Sequence, residues 1–217
     1  MKFLVHGRVQ LALHELKPEG VGRPLVHLHG LGLQSPETLP DELTPWPGPV
    51  YALDFTGHGK STVPGGGGYT SEILIGDVDA AINELGEVTL IGHGQGAYVA
   101  LLTAGARADA VRGAILCDGP GISGGGPMPG TPTVARIDPE AVAPPDPFAL
   151  AELSRDIRPA DYAIDFVKLA LAGSGMANPF AICAKARPEW LRAVADELGA
   201  QQVSVEDALR KFATGSR

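Results

Sequence analysis

Apolar and polar residues alternate along 2–6 and again along 9–16, with Gly7 between them. This period of two predicts an opening β-hairpin. Short runs rich in Val, Ile and Leu follow at 24–29, 50–54, 88–91, 111–117 and 180–186, and a last one at 202–205. Brief apolar runs without alternation predict strands covered on both faces. Between them the spacing turns helical. Ile73, Leu74, Ile75, Val78, Ala81, Ile82 and Leu85 draw an apolar stripe along 71–85. Small residues at 97–107 predict a helix directly after the 88–91 strand, and a short helix is expected within 35–43. Further helices are expected at 147–155, 160–171 and 206–212, and at 188–198, which has Pro188 in its first turn and Gly199 past its end. Strands alternating with helices predict a mostly parallel sheet with helices on both faces. No internal repeat is visible.

Composition narrows this picture without redirecting it. A chain of 217 residues with 44% hydrophobic content and near-neutral mean hydropathy is that of a globular protein. The net charge of -8, without a basic stripe, argues against a nucleic-acid partner. No apolar run is long enough to cross a bilayer, and 1–16 lacks the uninterrupted apolar stretch of a signal peptide, so no membrane partner and a cytoplasmic location are expected. Cys117 and Cys183 each lie in an apolar run, as buried thiols do. They suggest neither a disulfide framework nor a metal site.

Three glycine-bearing segments carry the candidate chemistry, each at a strand end: His29-Gly30-Leu31-Gly32, the stretch Asp54 to Ser61 with Gly57-His58-Gly59, and Gly92-His93-Gly94-Gln95-Gly96. In this order they resemble the α/β-hydrolase family. The resemblance implies an α/β-hydrolase-like core over 1–118 and 176–217, with a linker and small helical cap at 119–175. It also places Gly94 where the family carries its nucleophilic serine. The oxyanion pocket would lie at Gly30, Leu31 and Gln95, with the Leu31 and Gln95 amides as donors. The flanking glycines fit a steric need, because a tight strand-to-helix turn leaves no room for bulky neighbours. Glycine at 94, however, has no side chain to attack with. The remaining family positions also lack their groups. The segment expected to bring the acid reads Ala184-Lys185-Ala186-Arg187-Pro188, with no carboxylate before Glu189, and no histidine follows His93.

Six histidines are present, and His29, His58 and His93, with Asp54 and Asp118, fall at strand ends where they could gather in a pocket. They are candidates for acid–base work, against the plainer role of binding loop backbone. Asp118 is expected to cap the Gly119-Pro120-Gly121 turn. No spacing supports a metal site. A different reading takes Gly92 to Ala97 as a dinucleotide fingerprint, with Asp118, 21 residues beyond Ala97, on a ribose. The two upstream motifs then go unexplained. The expected function is that of a hydrolase-family protein without the Ser-His-Asp triad, non-catalytic or binding a small apolar or ester-like ligand, with no cofactor. The alternative is a histidine-assisted reaction on small esters or carbonyl compounds. Oligomeric state leaves no mark on the sequence.

Overall fold

A computed structural model describes residues 1–122, 143–156 and 158–214. A seven-stranded sheet runs in the order β1-β2-β4-β3-β5-β6-β7. The strands are β1 Lys2–His6, β2 Val9–Lys17, β3 Leu25–Leu28, β4 Val50–Leu53, β5 Val88–His93, β6 Val111–Cys117 and β7 Phe180–Ile182. The expected hairpin, β1 with β2, is antiparallel and joins β4 antiparallel; every pairing from β4 onward is parallel.

Alternation along the strands builds two apolar layers, one on each face. Val26, Leu90, Ala114 and Leu116 face a layer formed with α1 Ser71–Leu85, α2 Gln95–Ala106, α4 Ala160–Gly173 and α5 Glu189–Leu198. Leu25, Ile91, Ile115 and Cys117 face the other, closed by Leu43, Trp46 and α6 Val205–Thr214. Each such aliphatic side chain taken wholly out of water contributes about 1.5–3 kcal/mol. Helix α2 is buried along all but its last residue, which is why its sequence is small and apolar all round. It packs so closely on β3 that a Cβ on Gly96 would sit 2.4 Å from the Leu28 carbonyl oxygen.

Three expectations need correction. Within 35–43 only one turn of 3₁₀ helix forms, Asp41–Leu43, after Pro40. The strand expected at 180–186 stops at Ile182, because the Lys185 and Ala186 amides turn to the Asp118 carboxylate. The strand expected at 202–205 shrinks to a single parallel bridge between Gln202 and Ile182. There the Val203 amide donates to the Ile182 carbonyl at 3.0 Å, and Lys211 Nζ donates to the Phe180 carbonyl at 3.2 Å.

The helices expected at 147–155 and 160–171 are present as α3 Pro147–Leu153 and α4. Asp146 caps α3, accepting the Phe148 amide, and also accepts the Tyr69 hydroxyl. Glu152 accepts the Gly68 and Tyr69 amides, so α3 is tied to the loop after β4. Helix α4 packs beside α2 and α5. Most of the glycine- and proline-rich linker expected over 119–147 lies outside the described residues.

Two buried carboxylates hold the loop after β4. Asp77 on α1 accepts the Thr56 amide and hydroxyl and pairs with His6. Asp54 accepts the amides of Ser35 and Lys60 and bonds His14 Nε2. Burial alone would push Asp54 up, but the Lys60 and Ser35 amides and His14 outweigh it and hold the carboxyl below its ordinary 3.8. A carboxyl depressed on folding stabilises the fold above its unfolded value, and that stabilisation is lost as pH falls through the folded one. Urea midpoints of the wild type should therefore fall between about pH 5 and pH 3, and Asp54→Asn should flatten this slope while lowering the midpoint at pH 7. In the same assay Gly96→Ala should cost roughly 1–3 kcal/mol, because the added methyl meets main chain that cannot yield.

Candidate functional site

Strand β5 ends in a tight elbow. Gly94 has φ 58° and ψ -115°, a strained geometry for any residue with a Cβ, and α2 starts at the next residue. The Gly94 amide donates to the Cys117 carbonyl, and its carbonyl accepts the Ala97 amide. Beside the elbow, the loop after β3 brings Leu31 alongside Gln95.

What these two residues face is the central feature of the site. The Leu31 amide donates to the Pro120 carbonyl oxygen at 3.0 Å, and the Gln95 amide donates to the same oxygen at 2.9 Å. The two amides named from the sequence as oxyanion donors thus converge on one point, and the chain's own main chain occupies it. The Gly119-Pro120-Gly121 turn lies directly over Gly94. A Cβ on Gly94 would stand 2.0 Å from the Pro120 oxygen and 2.5 Å from the Gly119 carbonyl carbon. Gly121, at φ 81°, lets the turn pass within van der Waals reach of Leu31 and Gln95. The volume of a serine side chain is taken up by backbone.

The candidate histidines fall into two ring pairs, His29 with His58 and His93 with His27. His29 is buried, with Nδ1 bonded to the Gly30 carbonyl and Nε2 accepting the Phe55 amide. His58 Nε2 accepts the Gly32 amide, and its Nδ1 bonds the Thr56 carbonyl. The two rings lie 5.1 Å apart and join the loops after β3 and β4. Burial, then each other's proximity, pushes His29 down to about 3; burial also lowers His58. Both are uncharged at neutral pH, with both ring nitrogens committed to protein partners.

His93 and His27 make a separate pair on the α6 face of the sheet, with ring centroids 5.1 Å apart. His27 was not among the sequence candidates for chemistry. Burial and His93 drive it to about 3. Burial lowers His93 as well, although Glu42 acts in the opposite direction from 3.7 Å away. His27 Nδ1 and His93 Nε2 are buried without a hydrogen-bond partner among the described residues. With His29, Asp118, Leu33, Pro36, Pro40 and Glu42 these rings line a cavity of about 290 Å³, whose wall also includes Gly30, Gly119 and Pro120.

Asp118 does not cap the turn that follows it. Its carboxylate accepts the Lys185 amide at 2.7 Å and the Ala186 amide at 2.8 Å, closing the loop after β7. The dinucleotide pattern fares no better physically: Gln95, the first amide of α2, donates to Pro120, and Asp118 is engaged across the sheet. Sequence reasoning passed over Pro120 and Glu42. Nothing marks a carbonyl in advance, since every residue has one. Among the described residues no group of three or more His, Cys, Asp or Glu side chains is arranged to hold a metal, and no helix is long and apolar enough to cross a membrane.

Comparison with known proteins agrees with this architecture. Residues 25–214 match the model of the alpha/beta hydrolase family. Est1E from Butyrivibrio proteoclasticus, solved with ferulic acid, superposes with a TM-score of 0.62 at 16% identity, covering 98% of this chain and 96% of that one. A thermophilic esterase from Thermogutta terrifontis, solved with malate, gives a TM-score of 0.62 at 20% identity over 98% of this chain and 92% of its own. A carboxylesterase from Nitrososphaera gargenis gives 0.59 at 15% identity, over 97% and 93%. No curated protein matches the chain. With the family model spanning most of its length, and with this sheet order and elbow, the chain belongs to the α/β-hydrolase family.

Proposed function

We propose that this chain is a non-catalytic member of its family, in which the oxyanion site is closed by the protein's own Pro120 carbonyl. One observation carries the reading: a single main-chain oxygen accepts both the Leu31 and Gln95 amides over a side-chain-free Gly94. Two amides aimed at one point stabilise an oxyanion only if the substrate oxygen can reach that point. Here a neutral carbonyl already fills it, with a net gain of about 0.5–1.5 kcal/mol for each hydrogen bond. The sequence adds that no nucleophile stands at 94 and that no histidine follows 93 to act as base.

In this proposal any ligand is small, apolar or ester-like and occupies the cavity under Leu33, Pro36 and Pro40. Its volume of about 290 Å³ lies at the lower edge of known ligand sites. Within the proposed 119–175 insertion, the capping part is α3 with Asp146 before it, since both are bound to the 57–70 loop.

A second reading rests on His93. It lines the cavity 3.7 Å from Glu42, whereas His29 and His58 are committed to backbone, so a histidine-assisted reaction would run through His93.

Hydrolysis of p-nitrophenyl butyrate separates the two. The wild type should match the uncatalysed background. A rate well above background that disappears in His93→Ala would replace the first reading with the second. Gly94→Ser should also remain at background, and its unfolding midpoint should drop by the equivalent of roughly 1–3 kcal/mol, because the new side chain must displace the 119–121 turn. Esterase activity in Gly94→Ser would show that the turn yields, and would overturn the occlusion.

A further inference from the structure

The chain's two thiols meet at the C-terminal ends of β6 and β7. Leu116 pairs with Ile182 in parallel register, so Cys117 and Cys183 come next on neighbouring chain segments. Cys117 shares the α6-side apolar layer with Ile115 and Ala181, and Cys183 packs against that layer. Both side chains therefore leave the sheet on the same face. Neighbouring strands lie about 4.8 Å apart, inside the roughly 4.4–6.8 Å between Cα atoms that a disulfide spans. The chain has two cysteines in all, so no other internal pairing competes.

We propose that Cys117 and Cys183 form a dithiol modification site, which closes to an internal disulfide when the protein meets a low-molecular-weight disulfide such as oxidised glutathione. The two thiols differ in role. Cys117 is buried, while Cys183 is only partly so and is the one that a small molecule reaches. Their proximity also polarises the pair: Cys117 holds Cys183 below its ordinary value, while Cys183 and burial raise Cys117. Cys183 thiolate attacks one sulfur of the small disulfide, breaking its S–S bond and releasing one thiolate, which takes up the proton that Cys183 gave to solvent. Cys117 then gives up its proton and attacks Cys183 Sγ, expelling the second small thiol. The protein loses two hydrogens and two electrons, and one small disulfide becomes two thiols.

The test uses the full chain, reduced and then incubated with excess oxidised glutathione, quenched in acid, and alkylated after denaturation. Intact mass should show a protein two hydrogens lighter that takes up no alkylating reagent, and a peptide map should join the segments holding Cys117 and Cys183. Cys117→Ser should trap one glutathione on Cys183, while Cys183→Ser should remain unmodified in the folded state. Two alkylatable thiols in the treated wild type would overturn the proposal. So would stable glutathione adducts on both cysteines, or a disulfide-linked dimer. The wild-type map decides the matter even if a variant fails to fold.

Discussion

One main-chain oxygen organises the functional end of this protein. The Pro120 carbonyl holds the loop after β3 through the Leu31 amide and the start of α2 through the Gln95 amide, so three segments distant in sequence are joined at one atom. The arrangement depends on a missing atom elsewhere. With a Cβ at position 94 the turn could not lie where it does, since the contact would be 2.0 Å. The glycine and the plug are therefore one feature. Glycine makes room for the turn, and the turn fills the space that glycine leaves.

Around this point the polar groups that might otherwise do chemistry are used for construction. Asp54 and Asp77 bind the amides and side chains of the β4 loop, His29 and His58 tie that loop to its neighbour, and Asp118 fastens the end of β7. A buried polar group without a partner costs about 1–3 kcal/mol, a cost that these bonds within the protein avoid. His27 and His93 stand apart, since each keeps a buried ring nitrogen unmatched among the described residues, and they line the 290 Å³ cavity.

Much of the fold was legible in the sequence because it rests on periodicity. The β1–β2 hairpin, α1 at Ser71–Leu85, and β6 at Val111–Cys117 follow directly from where apolar residues recur. The places that departed from pattern are those where one long-range bond decides. Lys185 and Ala186 read as strand, yet a carboxylate 67 residues away from Lys185 takes its amide. Residues 35–43 read as helix, but one turn at Asp41–Leu43 is all that forms. At the candidate site, the glycine motifs located the elbow and its two amides. They could not show what those amides bind, because the partner is backbone. Composition likewise said nothing of the division of the histidines into two pairs: His27 and His93 meet on one face of β3 and β5, while His29 and His58 meet between the loops after β3 and β4.

The far edge of the sheet carries a consequence of its own. A three-residue last strand leaves little to cover, but open strand edges are where sheets of separate molecules join and aggregate. In this protein the Ile182 carbonyl is already bonded to the Val203 amide and the Phe180 carbonyl to the Lys211 ammonium. An incoming strand would have to displace both and bring its backbone up to a fixed positive charge. By giving up a full eighth strand for one bridge and one lysine, the chain still ends its sheet in a form that resists extension.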